Sequence, residues 1–293
     1  MTTTWIIDAA EDGCRISRLL HTRGYSLSQR RRWRRSARLT CNGRAADWTT
    51  TVRCGDTVVL CWEDPQPLVP WHVPVTIVYE DGDFLVADKP AGMLTHATAA
   101  ERTHTLLHAL QAYLNDTRTD TRPHPIHRLD RGTSGLLVIA LSAAAQHDFM
   151  QRSFRDLHRT YQAVVTGCFP APFGDIRLPI ARKPGSIIER EVNLAHGQDA
   201  RTYIRRLAAA PDASLLQIRL ATGRTHQIRV HLSHLGYPLW GDDLYGGLRT
   251  LIDRQALHAA AISFPHPHTG RIVRVRAPLP PDMQALVEHF SLQ

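Results

Sequence analysis

The sequence has almost no lysine, no paired cysteines and no long apolar segment. Its only lysines are Lys89 and Lys183 among 35 basic residues, so arginine carries nearly all of the positive charge. The five cysteines are odd in number and never spaced as CxxC, which argues against a disulfide framework and against a cysteine-based zinc site. We therefore expect reduced thiols in a cytoplasmic protein. The cysteines are Cys14, Cys41, Cys54, Cys61 and Cys168.

Other absences exclude further classes of protein. No apolar run approaches the ~20 residues that span a bilayer. Residues 1–15, MTTTWIIDAAEDGCR, contain acids and lack the basic start of a secretory signal. The sequence has neither a phosphate-binding loop nor a dinucleotide-binding fingerprint. We expect a soluble monomer that uses no cofactor and no metal.

What the sequence does have is an excess of positive charge. The formal net charge is +8 and the sequence pI is about 9.6. A preference for arginine over lysine is what a genome's base composition can produce, and it carries little information. The net excess is a separate matter and favours a polyanionic partner, with nucleic acid as the obvious candidate.

Composition separates the chain into three zones. Residues 1–62 end in a turn and a short apolar strand, and residues 63–74, EDPQPLVPWHVP, contain four prolines and suit a linker. From residue 75 to 293, short strand patterns outnumber helical ones, without regular βαβ alternation. We predict an α+β fold, in which a small α+β domain precedes a larger domain built on a mixed or antiparallel sheet.

The most informative segment is HPIHRLDRGTSGLLVIA, residues 124–140. It places Asp130 between Arg128 and Arg131, just before a Gly-Thr-Ser-Gly turn. A carboxylate beside guanidinium groups stays ionised, because a close positive charge lowers its pKa. Such a group can act as a nucleophile or a base, but on its own the Arg-Leu-Asp pattern is also typical of a structural ion pair.

Seventeen histidines raise the question of a metal site. His226, His231 and His234 lie close together, but no glutamate completes a zinc-binding motif and arginines are interleaved. Polar contacts to a nucleic acid, or histidines satisfied within the core, are the simpler interpretations.

Several segments together resemble the RluA-like family of RNA pseudouridine synthases. HRLD followed by TSGLL, within residues 127–140, is similar to the family's catalytic signature. TGRTHQIRVHLSHLG with YPLWGDDLYGG (222–247) and HRTYQAVVTG (158–167) are similar to its later motifs. DKPAGM (88–93) and LHAAAISFPHPHTG (257–270) extend the resemblance in the family's order. The implied function is isomerisation of uridine to pseudouridine in structured RNA, ribosomal or transfer.

The resemblance implies roles for individual residues. Asp130 would be the catalytic carboxylate, Tyr161 would pack against the target uracil, and Arg224 would pair with the aspartate. Arg128 would enter the RNA stack in place of the flipped base, and Leu257 would form the apolar floor of the pocket. The chain departs from the pattern two residues before the tyrosine, where Arg159 replaces a lysine, and at Gly197-Gln198, where the family usually has Gly-Lys.

The first zone is basic in one stretch. Residues 15–38 contain nine arginines and no acid, and QRRRWRR places Trp33 among them. With the RLL segment and the Asn42-Gly43 turn, the zone resembles the small αL-type RNA-binding domain that precedes many pseudouridine synthases. We expect it to grip phosphates and to stack on an unpaired base, although a charge run can also be only a solvated face. The candidate RNA contacts are Arg30, Arg31, Arg32, Trp33, Arg34 and Arg35.

A second hypothesis is a non-catalytic RNA-binding assembly factor on the same fold. Such a protein is expected to have lost Asp130, Tyr161 or Arg224, and the sequence retains all three. The residues therefore favour the enzyme.

Overall fold

A computed structural model describes residues 2–25, 27–62, 68–98, 101–118 and 121–292, and for residues 27–29 and 32 it describes the backbone only. The chain divides into two compact units, residues 1–68 and 69–293. Residues 63–67 of the predicted linker lie outside the described part of the chain.

In its described residues, the first unit has a four-stranded antiparallel sheet and two α-helices. Its sheet order is β1-β4-β2-β3. The turn between β2 and β3 has positive φ at both Asn42 (51°) and Gly43 (76°), as the Asn-Gly pair predicts. The elements are β1 (Thr2–Ile6), α1 (Ile16–Thr22), α2 (Leu27–Ser36), β2 (Arg38–Cys41), β3 (Arg44–Ala46) and β4 (Thr57–Cys61).

The second unit is built on a ten-stranded sheet. Along its main path the order is β10-β13-β14-β9-β15-β8-β6-β5, with β16 beside β15 and β7 beside β8. A separate hairpin joins β11 to β12. The strands are β5 (Thr76–Glu80), β6 (Phe84–Lys89), β7 (His124–Pro125), β8 (Ser134–Ala140), β9 (His158–Thr166), β10 (Phe173–Ile176), β11 (Ile180–Arg182), β12 (Arg190–Val192), β13 (Thr202–Ala209), β14 (Ala213–Leu220), β15 (Leu257–Pro265) and β16 (Ile272–Arg276).

Four α-helices accompany this sheet in the described residues: α3 (Leu106–Thr117), α4 (Ala143–Arg152), α5 (Gln227–His234) and α6 (Pro281–His289). The predicted α+β class with a mixed sheet is confirmed. None of the described helices is long and apolar enough to cross a membrane.

One pair of strands makes the sheet mixed. β8 and β15 run parallel and pair at His258 with Ser134 and at Ala259 with Gly135, whereas the other paired strands are antiparallel. Gly135 has φ +108°, and a Cβ there would lie 2.4 Å from the carbonyl oxygen of Ala259. The glycine of the TSGLL segment is therefore needed for β15 to approach β8.

The core of this unit lies against both faces of β8. All seven residues of the strand are buried, which explains why SGLLVIA reads as a continuous apolar run. On one side, Phe84, Phe149 and Phe264 pack ring to ring, with centroids 5.0–6.3 Å apart. This packing fixes β8 in place, and the loop that enters β8 carries Asp130.

Candidate active site

A cavity of about 330 Å³ opens beside the loop that enters β8. Its walls come from the 126–130 loop, the start of β9, the segment that leads into α5, and the start of β15. Tyr161, Leu257 and Arg128 all line it, together with Asp130. Segments far apart in the sequence thus meet at one place, as the resemblance implied.

Hydrogen bonds from Thr95 and Lys89 hold the loop that carries Asp130 in position. The Thr95 hydroxyl donates to the carbonyl of Leu129 (3.0 Å) and accepts from its amide (3.2 Å). Lys89, which is fully buried, donates from Nζ to the carbonyl oxygens of Pro90, Met93 and Arg131 at 2.8–3.2 Å. Burial lowers the pKa of this lysine to about 7, against the opposing effect of Asp130. These contacts fix the backbone on both sides of the aspartate.

Asp130 faces Arg229. One guanidinium nitrogen of Arg229, Nη1, lies 3.5 Å from Oδ2 of Asp130, and the aspartate side chain is 19% exposed. The same guanidinium forms two parallel bonds of 2.7 Å to Asp242, whose side chain is fully buried. Burial acts to lower the pKa of Arg229, but the hydrogen bonds and charge of Asp242, with Asp130, raise it overall. Arg229 is therefore a fixed, permanent cation beside Asp130.

His226 and Tyr245 both contact this ion pair, and His226 also lines the cavity. Nε2 of His226 lies 3.9 Å from Asp130, and its Nδ1 is 2.8 Å from the Tyr245 hydroxyl. The Tyr245 ring lies under the Arg229 guanidinium at 4.8 Å, a cation–π contact. Burial lowers the pKa of His226, while Asp130 raises it and Arg229 lowers it further, so the net shift is downward. This histidine is consequently neutral at pH 7.

The prediction that Arg224 pairs with Asp130 is wrong. Arg224 lines the cavity, but its side chain is exposed and its Nε donates to the carbonyl of Asp199 at 2.9 Å. The physical reason lies at His226, which adopts a left-handed conformation (φ 57°) just before α5. The turn places Arg224 outside the helix, while Arg229, on the buried helix, points to the aspartate. Arg229, Asp242 and Tyr245 were not among the site residues predicted from the sequence.

Tyr161 and Leu257 form the apolar part of the cavity. Both are nearly inaccessible to solvent, at 5% and 4% exposure. Burial raises the pKa of Tyr161, with Asp130 adding to and Arg159 opposing the shift, so the phenol stays protonated at neutral pH. Arg128, by contrast, is exposed at the edge of the cavity.

The histidines considered for a metal site are used otherwise. His231 is fully buried, and its ring nitrogens contact the Thr202 hydroxyl (2.9 Å) and the Leu178 carbonyl (2.8 Å). Among the residues that the structure describes, no three or more His, Cys, Asp or Glu side chains are grouped to hold a metal. His231 is thus a core histidine with both nitrogens satisfied.

In the first unit, the expectation for Trp33 is corrected. Its side chain is only 2% exposed and packs against Tyr25 and Trp62 with ring centroids 5.0 Å away. It cannot stack on a base without leaving the buried core of the first unit. Arg31, Arg34 and Arg35 of the same helix are exposed, whereas Arg30 is half-buried. The side chain of Arg32 lies outside the description.

Comparison with known proteins identifies the family. Residues 83–234 match the family of RNA pseudouridylate synthases. An uncharacterized RNA pseudouridine synthase of Bacillus subtilis, YlyB, is 36% identical over 273 residues, covering 91% of this chain and 90% of the relative. The ribosomal large subunit pseudouridine synthase D of Xanthomonas campestris is 37% identical over 280 residues, covering 90% of this chain and 84% of the relative. The chain belongs to the RNA pseudouridine synthase family and is an isomerase that converts uridine to pseudouridine in RNA.

Solved structures agree at the level of the fold. Human RNA pseudouridylate synthase domain containing 4 superposes with a TM-score of 0.61 at 21% identity, covering 74% of this chain and 93% of that chain. Human RNA pseudouridylate synthase domain containing 1 gives a TM-score of 0.55 at 24% identity, covering 79% of this chain and 98% of that chain. The catalytic fold is thus shared beyond the bacterial relatives.

Proposed function

We propose that this enzyme modifies uridines in the RNA of the large ribosomal subunit, with Asp130 as the catalytic carboxylate. The observation that carries the assignment is the position of Asp130 in the cavity, 3.5 Å from a guanidinium that is itself anchored to Asp242. The substrate class is supported by relatives from several bacteria that are named ribosomal large subunit pseudouridine synthase D.

The reaction assigns a clear task to the carboxylate. The bond between N1 of uracil and C1′ of ribose breaks, the base turns, and C5 bonds to C1′; C5 then loses its proton while N1 gains one. An ionised carboxylate at the sugar can attack C1′ or remove a ribose proton, and both routes require its negative charge. Arg229 supports either route, because this anchored cation lies beside Asp130 and holds the carboxylate in position.

Tyr161 and Leu257 are proposed to hold the uracil. Their buried side chains give the cavity two apolar surfaces against which a detached base can stay and turn. The target base has to leave the RNA stack to reach them, which costs a few kcal/mol. Arg128, exposed at the cavity edge, is in position to fill the gap with a planar guanidinium.

The arginines of the first unit are proposed to supply affinity. Exposed Arg31, Arg34 and Arg35 lie on one short helix, and phosphate contacts of this kind are independent of sequence. One of the nine arginines is used differently: Arg23 pairs with Glu11 at 2.6 Å. The remaining task of this unit is therefore binding rather than chemistry.

We further propose that the enzyme acts as a monomer in the cytoplasm. A ribosomal RNA substrate and five free thiols both suit a reducing compartment. Sedimentation of the purified protein at micromolar concentration checks the first point, since a dimer would have twice the 32.9 kDa mass of the chain.

The substrate is tested by tritium release. Large-subunit, small-subunit and transfer RNA are transcribed with uridine tritiated at C5, and each is incubated with the enzyme. We expect release from large-subunit RNA, in a whole number of equivalents, and chemical mapping then locates the sites. Release from transfer RNA alone would contradict the ribosomal substrate. Tight binding without release from any RNA would instead support a non-catalytic assembly factor.

A further inference from the structure

A second cavity, of about 340 Å³, adjoins the one that holds Asp130. Its walls come from the β11–β12 hairpin, the segment before β13 and the segment before α5. The charged side chains that line it are Arg182, Arg190 and Arg224, with His196 and Gln198 beside them. Among the residues that the structure describes, no acidic side chain is part of this wall. The chemistry of the lining suits an anion.

Carboxylates of the described residues do not neutralise these three guanidiniums. In the described ranges, no carboxylate lies within 4 Å of any of them, and the nearby Glu189 is engaged with Lys183 at 2.8 Å. Arg190 donates from Nη1 to the carbonyls of Ile188 and Glu189 (3.1 and 2.9 Å). These bonds aim the side chain without cancelling its charge.

Arg182 and Arg190 stand directly opposite each other in the hairpin. Like charges at such cross-strand positions destabilise a hairpin unless something between them carries the opposite charge. Arg182 is exposed, and no side-chain hydrogen bond from it is found in the described part of the chain. Its guanidinium is therefore free to bind a ligand.

The two cavities share part of their walls. Arg224 and Thr225 line both, so the second cavity borders the space beside Asp130. Arg224, misassigned as the partner of Asp130, is thus placed between the two spaces. In a strand of RNA, the groups next to a bound nucleoside are its phosphates and those of its neighbours.

We propose that the cavity lined by Arg182, Arg190 and Arg224 binds the backbone phosphate of a nucleotide flanking the target uridine. This inference rests on the proposed function of the Asp130 site. A planar guanidinium matches the geometry of a phosphate and can bind it through two parallel hydrogen bonds. The subsite fixes the register of the strand and so presents one particular nucleotide to Asp130.

Gln198 offers a way to strengthen the same subsite. It lines the cavity as a neutral side chain, exposed, between backbone bonds that pair residue 198 with Ile180 at 2.9 Å. Gln198→Lys adds a cation to the wall without removing an existing contact of the Gln198 side chain in the described residues. The variant is expected to bind RNA more tightly.

The test is a thermodynamic cycle on a nine-nucleotide RNA with one central uridine and adenosine elsewhere. Each phosphate in turn is replaced by a neutral methylphosphonate, and binding is measured by fluorescence anisotropy for wild type and Arg182→Gln. We expect Arg182→Gln to weaken binding to the unmodified RNA about tenfold, as for a hydrogen bond to a charged group. At one linkage that flanks the uridine, the neutral replacement should weaken RNA binding by the wild-type protein by a similar factor. RNA binding by Arg182→Gln should be almost unaffected by the same replacement.

Arg271→Gln is the matched control, since Arg271 is exposed in the turn between β15 and β16 and lines neither cavity. It should behave as wild type at that linkage. Gln198→Lys should bind more tightly, and the gain should vanish at the same methylphosphonate position. The proposal is overturned if, at every linkage, the binding free-energy changes caused by Arg182→Gln and by the neutral replacement are additive. It is also overturned if Arg182→Gln leaves RNA affinity unchanged.

The two proposals fail separately. Binding cycles need no turnover, so coupling at one linkage supports the phosphate subsite even if no RNA releases tritium. Conversely, tritium release from large-subunit RNA with no coupling at any linkage leaves the proposed function intact and removes the subsite.

Discussion

Asp130 and Asp242 contact the same guanidinium, yet their replacement by asparagine is expected to have opposite consequences. Asp130→Asn should abolish turnover and leave stability nearly unchanged. Asp242→Asn should lower stability and leave measurable turnover at a temperature where the variant is still folded. The contrast separates a catalytic carboxylate from a structural one, which is the choice that the Arg-Leu-Asp pattern left open.

The expected magnitudes follow from burial and geometry. The Asp242 side chain is fully buried and makes two 2.7 Å bonds to Arg229, and removing one partner of a buried ion pair costs about 3–5 kcal/mol. Asparagine keeps one acceptor, so we expect the lower end, and the melting temperature should fall by roughly 6–12 °C for a unit of this size. Asp130 is 19% exposed, and its ionic contacts are longer, at 3.5 Å to Arg229 and 3.9 Å to His226, so ~1 kcal/mol or less is expected.

The assay combines tritium release with a thermal melt and an RNA-binding titration. For Asp130→Asn, release should fall by at least about 10²–10⁴-fold, the contribution typical of a positioned acid–base group, while RNA affinity persists through phosphate contacts. Asp243→Asn is the matched control, because Asp243 is 66% exposed and adjacent to Asp242. Undiminished release by a well-folded Asp130→Asn protein would refute the catalytic assignment. If the melting temperature of Asp130→Asn fell as far as that of Asp242→Asn, Asp130 would have a structural role.

Three further predictions concern binding, base flipping and acid. Replacing Arg31, Arg34 and Arg35 together by Gln should reduce the slope of log affinity against log salt by up to about 2–3, with turnover at saturating RNA retained; an unchanged slope would exclude these arginines from the interface. Arg128→Ala should impair activity on structured RNA more than on an unstructured strand with the same target, and equal losses would assign Arg128 another task. Burial lowers the pKa of His124 and His258 to about 4 and that of His127 to about 3, from 6.5. Between pH 6.5 and 4, the unfolded chain therefore binds more protons at these histidines than the folded chain does. The free energy of unfolding should have its full value above pH 6.5 and fall as the pH drops towards 4, by up to about 4 kcal/mol per pH unit. Urea titrations between pH 4.5 and 7 measure this, and a flat profile would contradict it.

Much of the site was predictable from the sequence because its residues lie in contiguous motifs. Asp130, Tyr161 and Leu257 were placed by their segments, and the structure brings them to one cavity. The α+β class followed from the strand patterns, and the continuous apolar run of β8 reflects its burial on both faces.

The partner of Asp130 was not predictable in the same way. TGRTHQIR contains two arginines five residues apart, and the choice between them depends on a single left-handed residue, His226. No feature of the neighbouring sequence predicts the left-handed conformation of His226. A usable signal was present elsewhere: Arg229 lies among apolar residues of a buried helix, and a buried cation requires a carboxylate, which the WGDD segment supplies.

Trp33 shows the converse error. An aromatic among arginines favours base stacking when only composition is considered. In a helix packed on a sheet, however, a large apolar side chain packs into the core, and Trp33 is buried against Tyr25 and Trp62.

The parallel pairing of β8 with β15 begins at Ser134, four residues after Asp130. Pairing therefore secures the strand but not the acid, whose loop depends on Thr95 and Lys89 for its position. The precise position of Asp130 and the pairing of the sheet thus depend on different contacts. Thr95→Val removes both hydrogen bonds to Leu129 and is expected to leave the carboxylate imprecisely placed in a protein whose sheet is still paired. A screen for retained sheet structure would miss this damage, which would appear in the rate of the chemical step and in a melting temperature lowered by the loss of two buried hydrogen bonds.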